Sequence, residues 1–305
     1  MAKIIDDALS IIKEFYTEAE LEDFSIVDSG FGSLVIESKE GIIFRIAKNL
    51  DTAKQYVMEC KVLPGLMKYL DTNIPNPIWH VFNTTAAPYG IMAYKKLKGN
   101  PIDATIFNKL NQENKNLIAK EVASFIVSIH KLPYEKLGFE DVPKIKFDKK
   151  ALAILREDTS GFLKSKLTAG EYRKMEDWWE EILSDDNLLH YKPTLCHGDT
   201  WHENILVDDD YMHVVGVIDF SNMRIGDPAA DLAPHIYLGK EFYNAVLHEY
   251  TKVFDSDRTI HQRIKRHIEL REISGLQYVL KNNLIDEYED TISKIRHRII
   301  LSSDF

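Results

Sequence analysis

The stretch Leu195-Cys-His-Gly-Asp-Thr-Trp-His-Glu-Asn-Ile-Leu-Val-Asp208, followed by Val214-Val-Gly-Val-Ile-Asp-Phe220, decides the fold of this chain. The second piece predicts a buried β-strand that ends abruptly in Asp219. A carboxylate at the end of an apolar strand is placed at a cleft rather than in a core. The first piece puts Asp199 and Asn204 five residues apart, on a loop that leads into another apolar run.

These three side chains match the needs of phosphoryl transfer. The reaction requires a carboxylate that orients and deprotonates the acceptor hydroxyl, oxygen ligands for magnesium, and cations or backbone amides that hold the phosphates in line. Magnesium takes oxygen ligands and keeps several waters, so one Asp and one Asn suffice. Asp199, Asn204 and Asp219 supply that set.

The motifs His197-Gly198-Asp199…Asn204 and Ile218-Asp219-Phe220, followed by Gly226-Asp227-Pro228-Ala-Ala-Asp231, carry a family resemblance. Their order and spacing resemble those of the aminoglycoside phosphotransferase family, the antibiotic-kinase relatives of protein kinases, and are also similar to those of macrolide kinases. The resemblance implies an α+β, bilobal, protein-kinase-like fold. A small sheet-rich N-lobe would cover residues 1–94, and a mainly helical C-lobe with the catalytic loop and acceptor site would cover residues 95–305.

The same resemblance implies cofactors and roles for individual residues. Magnesium would be the metal, and ATP or GTP would be the phosphate donor. Asp199 would be the catalytic base, Asn204 and Asp219 the magnesium ligands, and His197 and Asp231 structural braces of the catalytic loop.

The N-terminal region reads as a small sheet with one long helix. Residues 24–48 alternate short apolar runs with glycine, and the runs 78–82 and 89–94 also predict strands. The helix between them is expected to begin after Asp51 as N-cap and to reach about residue 70. Pro64-Gly65 is expected to divide it.

The nucleotide site is expected within this region. Ser29-Gly30-Phe31-Gly32-Ser33 lies between two strands, and its glycines would let backbone amides approach phosphate. The family has Lys or Arg on the third strand, where Arg45 or Lys48 could contact the phosphates, and Glu59 would be the ion-pair partner. Residues 91–94 would form the hinge that binds the base. The nucleotide-binding residues predicted are Ser29, Gly30, Gly32, Ser33, Arg45, Glu59, Met92 and Tyr94.

Helical spacing of apolar residues dominates the rest of the chain, in residues 117–130, 151–167 and 172–183. Thr168-Ala-Gly-Glu171 is a capping-box pattern. The basic run Arg263-Ile-Lys-Arg-His267 is expected to be a solvated helix face.

The acceptor is expected to bind against the C-terminal helices, which are rich in both acids and aromatics. Clustered carboxylates would attract a polycationic aminoglycoside, which is the favoured acceptor. A macrolide is the second reading, because Tyr237 and its apolar neighbours suit a large apolar ring. Choline, homoserine or fructosamine-type acceptors, and a nucleotide-binding pseudokinase without turnover, remain open. The predicted acceptor residues are Trp201, Tyr237 and Glu241.

Composition narrows the classes of protein to which the chain can belong. Apolar residues make up 45% of the 305 residues, and the formal net charge is −10, which argues against a nucleic-acid partner. Two cysteines give no disulfide framework, the N-terminus lacks the apolar run of a signal peptide, and no stretch suits a membrane span, so a cytoplasmic protein is expected. A zinc site at Cys196 and its neighbouring histidines fits no common ligand spacing. The sequence does not indicate an oligomeric state.

Overall fold

The computed structural model describes residues 2–15, 24–28, 32–83, 85 and 87–301. These residues form an α+β chain with two compact units. The first unit contains the described residues between 1 and 144 together with 194–225, and the second contains those between 145 and 193 together with 226–301. This division follows compactness alone, and the lobe boundary after residue 94 stays a prediction.

A five-stranded antiparallel sheet with the order β1-β2-β3-β5-β4 forms the centre of the first unit. The strands expected at residues 78–82 and 89–94 are confirmed as β4 and β5. β3 lies between β2 and β5 and is buried along its whole length, because its alternating side chains enter core clusters on both faces of the sheet. The strand bounds are Ser25–Asp28 for β1, Ser33–Glu37 for β2, Ile42–Ala47 for β3, Pro77–Phe82 for β4 and Gly90–Lys95 for β5.

One face of this sheet is covered by α1 (Ala2–Phe15), a helix that was not predicted. Its residues Ala8 and Ile12 are fully buried and share a core cluster with Phe44 and Ile46 of β3. The spacing of four residues places both side chains on one helix face, which was the signal for this helix in the sequence.

The long helix α2 (Leu50–Leu66) differs in detail from its prediction. Its N-cap is Asn49, whose side chain accepts a hydrogen bond from Thr52 N at 2.8 Å, and Asp51 lies in the first turn. Pro64 does not divide the helix. It lies two residues before the end, so the donor that proline lacks is lost only in the last turn.

The rest of the first unit builds the strand ends that position the candidate site. β8 pairs with β6 on one side and with β9 on the other in an antiparallel three-stranded sheet, and Ile205 lies opposite Val217. The remaining bounds are Asn100–Pro101 for β6, Ala104–Lys109 for α3, Gln112–His130 for α4, Thr194–Cys196 for β7, Ile205–Val207 for β8, Val214–Val217 for β9 and Arg224–Gly226 for β10, along which the chain passes into the second unit.

The second unit is helical around a core that includes Trp179, Met175 and Leu276. The predicted capping box is confirmed, because Thr168 and Glu171 each bond the other's backbone. No helix in the described ranges combines the length and apolar composition needed to cross a membrane. The helices are α5 (Lys149–Lys166), α6 (Ala169–Ser184), α7 (Ala229–Leu232), α8 (Lys240–Thr251), α9 (Ile260–Lys281) and α10 (Tyr288–Ile295).

The expectation that residues 263–267 form a solvated helix face is wrong. Arg263 is fully buried, and Arg266 is 3% exposed. Both lie on α9, which packs against α5, α7 and α10, and both face partners rather than water, whereas the Lys265 side chain between them is 44% exposed. Arg263 Nε donates to both carboxylate oxygens of Asp227 at 3.0 Å, and His267 Nε2 bonds the same carboxylate at 3.0 Å.

Candidate active site

Asn204 and Asp219 meet at adjoining ends of β8 and β9. Ile218 N donates to Asn204 O at 2.9 Å, which continues the β8–β9 pairing by one step beyond the strands. Asp219 follows at once with φ 62° and ψ 72°, a left-handed conformation that costs energy for a residue with a side chain. Strained backbone of this kind clusters at functional sites.

His197 connects the loop that carries Asp199 to the end of β9. Asp199 N donates to His197 Nδ1 at 3.2 Å, so Nδ1 carries the lone pair and the proton belongs on Nε2. Nε2 then donates to Ile218 O at 3.1 Å. The fully buried ring packs against Phe125 and Phe220, with centroids at 6.0 and 4.4 Å. His197 thus joins the loop to the end of β9 through both ring nitrogens, and its role as a structural brace stays a prediction.

The catalytic loop is also fixed to Asn204. Asn204 Nδ2 donates to Asp199 O at 3.0 Å. This hydrogen bond turns the NH₂ group of the Asn204 side chain towards the loop that carries Asp199. Gly198, the residue before Asp199, has φ 86°, and a Cβ built there would lie 1.9 Å from Asn222 O. Only glycine fits this close approach, so the Gly of the His-Gly-Asp motif is a geometric requirement.

Arg45 on β3 brings two acids together. Its Nη1 donates to Glu59 Oε1 and Oε2 at 3.0 and 2.8 Å, and its Nη2 donates to Asp219 Oδ1 at 2.8 Å. The side chains of Arg45 and Glu59 are 7% and 0% exposed, so the ion pair is desolvated. The structure thus brings together three residues that lie far apart in the sequence.

The charged groups in this cluster shift one another's pKa values. Burial raises the pKa of Glu59 to about 7, although the charge of Arg45 opposes this rise. Burial would also raise the pKa of Asp219, but Arg45 and the Ser221 hydroxyl outweigh it and hold that pKa below its usual value. The lowered pKa favours the ionised form of Asp219, which is the form that a cation would bind.

Ser221 is a member of the cluster that the sequence did not reveal. Its hydroxyl bonds Asp219 Oδ1 at 2.5 Å and accepts a hydrogen bond from Arg45 Nη2 at 2.7 Å. It also lies 3.3 Å from Glu59 Oε1. A serine two residues after an aspartate is a common local turn partner, and this was the only signal available.

The donor set suits a hard divalent cation. Among the described residues, the hydrogen bonds to the Asp219 carboxylate all end on Oδ1, and the Asn204 bond uses only Nδ2. Oδ2 of Asp219 and Oδ1 of Asn204 are thus the oxygens that could face a metal. The Asp219 side chain is 40% exposed, so a cation can reach it. Carboxylate and amide oxygens are ligands that magnesium accepts.

The predicted nucleotide loop is only partly described. Ser29 and Gly30 lie outside the described residues, whereas Gly32 and Ser33 lie at the start of β2. Ser33 Oγ shares a hydrogen bond of 2.6 Å with the hydroxyl of Tyr56 on α2. Lys48 is half-buried after β3, while Arg45 bonds both acids of the cluster, so the geometry favours Arg45 as the cation at the phosphates.

The hinge expected at residues 91–94 has to be moved. Met92 pairs with Arg45 on β3 and with His80 on β4, and Tyr94 is likewise paired on both sides. Their backbones therefore lie inside the sheet and cannot bind a base at its edge. Pairing with β4 ends at Tyr94, whereas Lys96 N still donates to Gly41 O at 2.8 Å on the β3 side, so the backbone edge at residues 95–97 is open only towards the β4 side.

The other four predicted site residues range from fully buried to exposed. Asp231 is fully buried in α7, and Trp201 is half-buried with its ring centroid 4.7 Å from that of His202. Tyr237 donates its hydroxyl hydrogen to Glu272, and two guanidinium groups lie over its ring. Glu241 is exposed in the first turn of α8. Their roles stay predictions.

Comparisons with known proteins agree with this geometry. The model of the phosphotransferase enzyme family, APH, matches residues 24–261. Solved structures that are similar include the GDP and kanamycin complex of APH(2")-IIia, with 19% identity, coverage of 98% of this chain and 99% of that chain, and a TM-score of 0.86. The streptomycin–ATP complex of APH(2")-IIa has 19% identity, coverage of 96% and 98%, and a TM-score of 0.70.

A macrolide enzyme is also similar. Macrolide 2'-phosphotransferase MphH from Brachybacterium faecium has 16% identity, coverage of 95% of this chain and 98% of that chain, and a TM-score of 0.66. These likenesses confirm the bilobal, protein-kinase-like fold, and the family match confirms the predicted enzyme class, a phosphotransferase with an alcohol group as acceptor. The family model covers more than half of the chain, and the chain therefore belongs to the phosphotransferase enzyme family.

Proposed function

We propose that the protein is a magnesium-dependent kinase that transfers the γ-phosphate of ATP or GTP to a hydroxyl group of an aminoglycoside-type antibiotic. The observation that carries the proposal is the position of Asp219. Arg45 and Ser221 bind its Oδ1, while the backbone beside it bonds Asn204. A guanidinium and a pair of metal-binding oxygens therefore lie at one place, as the phosphates of a nucleotide require.

Each residue has a role in this proposal that follows from its contacts. Asp199 would orient the acceptor hydroxyl and take its proton, on a loop held by His197 and Asn204. Arg45 would donate hydrogen bonds to the phosphates while Glu59 holds its other edge. Asn204 and Asp219 would hold the magnesium ion, whose charge offsets that of the phosphates.

The donor nucleotide would lie between the glycine-rich loop and the open backbone edge at residues 95–97. Gly32 and Ser33 form the described end of that loop. One similar structure holds GDP and another holds ATP, which supports a purine nucleotide without choosing between the two bases.

The acceptor proposal is supported by the aminoglycosides in the similar structures, kanamycin and streptomycin. Exposed acids such as Glu241 would attract such polycations. Glu269 and Glu272 cannot contribute freely, because Arg266 pairs with the first and Tyr237 bonds the second. A macrolide is the second candidate, favoured by the similarity to the macrolide 2'-phosphotransferase. Small alcohols of the choline, homoserine or fructosamine type are further alternatives.

A pseudokinase that binds nucleotide without turnover is less well supported. Such a protein would not need Asp199, Asn204 and Asp219 together, whereas this chain keeps all three in a bonded arrangement.

A thermal-shift panel tests the proposal. The protein is mixed with a non-hydrolysable ATP or GTP analogue and magnesium, and then with aminoglycosides, macrolides and small alcohols in turn. An aminoglycoside is expected to raise the melting temperature most, and the hydrolysable nucleotide should then add one phosphate to it, as seen by mass spectrometry.

The matched control in that panel is Asp219→Ala, which should remove the magnesium dependence of nucleotide binding. If only macrolides stabilise the protein, the acceptor is a macrolide rather than an aminoglycoside. The absence of any phosphorylated product would support the pseudokinase. An unchanged magnesium titration in Asp219→Ala would contradict the ligand assignment.

A further inference from the structure

One face of α2 carries three residues that contact the candidate nucleotide site. Thr52, Tyr56 and Glu59 are separated by four and three residues, and side chains at these spacings lie one above the other on a helix. Glu59 binds Arg45, as described above. The other two contact the end of the glycine-rich loop.

The loop end lies directly on the first turns of α2. A Cβ built on Gly32 would lie 2.4 Å from Thr52 Oγ1, so any side chain at position 32 would force the Thr52 hydroxyl to move. Lys48 N donates to Gly32 O at 2.9 Å and fixes the same point from the other side. The position of Ser33, the next residue, is therefore determined by α2.

Tyr56 contacts both the loop and Arg45. Its hydroxyl shares the 2.6 Å hydrogen bond with Ser33 Oγ, and its ring lies under the Arg45 guanidinium, with Cζ 4.7 Å from the ring centroid. The side chain is fully buried. A buried phenol needs a partner for its polar end, and a buried guanidinium gains from an aromatic face.

We propose that Tyr56 is a positioning residue that couples Ser33, at the start of β2, to Arg45, so that these two candidate phosphate-binding residues act as one unit. This inference rests on the proposed function, since it assumes that a nucleoside triphosphate binds beside Ser33 and Arg45. Tyr56 itself does not touch the nucleotide. It contacts Ser33 through its hydroxyl and Arg45 through its ring, and loss of either contact weakens binding of the phosphates.

A double-mutant cycle of Tyr56→Phe and Ser33→Ala tests the coupling. Tyr56→Phe keeps the ring and removes only the hydroxyl, and it should weaken binding of a non-hydrolysable nucleoside triphosphate about three- to tenfold, the worth of one hydrogen bond. Binding of the nucleoside without phosphates should stay unchanged. In the Ser33→Ala background, Tyr56→Phe should have no further effect, because the partner is already gone.

The matched control is Tyr211→Phe. Tyr211 is a buried tyrosine of the first unit whose hydroxyl accepts a hydrogen bond from Asp103 N, away from the cluster. Its loss should lower the melting temperature without changing triphosphate affinity. Tyr56→Leu, which also removes the aromatic face from Arg45, should weaken triphosphate binding more than Tyr56→Phe does.

Three results would overturn the inference. These are triphosphate affinity of Tyr56→Phe within about twofold of wild type, additive effects in the cycle, and equal effects of the Phe and Leu substitutions. A wild-type protein that binds neither ATP nor GTP would overturn the proposed function first and this inference with it, so the two failures are distinguishable.

Discussion

Each of the two units contains a buried arginine held between two carboxylates. In the first unit Arg45 bonds Glu59 and Asp219. In the second unit Arg263 bonds Asp227 through Nε and Asp257 through Nη2. The two arginines resemble each other in burial, at 7% and 0% exposure of the side chain, so burial alone does not separate a binding site from a structural ion pair.

The two clusters differ in the exposure of one aspartate and in how many of its carboxylate oxygens are hydrogen-bonded. Asp227 is 8% exposed, and both of its oxygens are used, by Arg263, by His267 and by the backbone of Ala229 at the start of α7. Asp219 is 40% exposed, and its bonds within the described chain all reach one oxygen. A buried arginine whose partners are all satisfied indicates a structural role, whereas one beside a half-satisfied, exposed carboxylate indicates a binding site.

The largest expected effect contrasts the two arginines. Arg263→Met should lower the free energy of unfolding by about 3–5 kcal/mol, because it leaves Asp227 buried without its counter-ion. Arg45→Met should cost less than half of that, since Glu59 can take up a proton and Asp219 can turn to solvent. Denaturant unfolding of both variants measures the contrast, and equal losses would break the comparison.

The next effect concerns the hydroxyl that bonds Asp219. Ser221→Ala should raise the magnesium concentration needed for half-maximal nucleotide binding about three- to tenfold, because Asp219 and Arg45 each lose one hydrogen bond. Ser221→Thr should restore the wild-type midpoint.

Ser128→Ala is the control for this measurement, because that hydroxyl bonds only the backbone of its own helix at Phe125 O. A Ser221→Ala midpoint no different from that of Ser128→Ala would remove Ser221 from the site.

The smallest effect is a pH dependence of stability. Glu59 keeps its proton in the folded protein between its ordinary pKa of 4.5 and about 7, whereas the unfolded chain has already lost it. Stability from this group is therefore present at low pH and falls as the pH rises through that window. Relative to Glu59→Gln, the wild-type melting temperature should fall from about pH 5 to about pH 8. A relative rise would show that the pKa is not raised.

Local rules predicted the elements and residues whose position is set within a short stretch of chain. The His-Gly-Asp loop, the strand that leads to Asp219 and the capping box at Thr168 depend on neighbours in the sequence. Arg45 and Glu59 were also found, because the family resemblance implies a basic residue on the third strand and a glutamate on the next helix, and strand alternation then selects Arg45.

The features that sequence reasoning missed depend on packing between distant elements. Arg263 looked like a surface charge because nothing in its own helix reveals the carboxylate of Asp227 and the ring of Tyr191 beside it. Tyr56 contacts Arg45 only once β3 and α2 are packed together, and the contacts of Ser221 with Arg45 and Glu59 also depend on that packing. The hinge was placed too early because the end of β4, not the sequence of β5, decides where the backbone edge opens.

The most direct measurement is the turnover of Asp199→Ala, with nucleotide affinity determined on the same preparation. If Asp199 takes the proton of the acceptor hydroxyl, turnover should fall by about 10²- to 10⁴-fold while nucleotide affinity stays within about twofold of wild type. The binding groups Arg45, Asn204 and Asp219 keep their positions in this variant, so only the proton transfer is lost. Turnover within about threefold of wild type would contradict the assignment of Asp199 as the base.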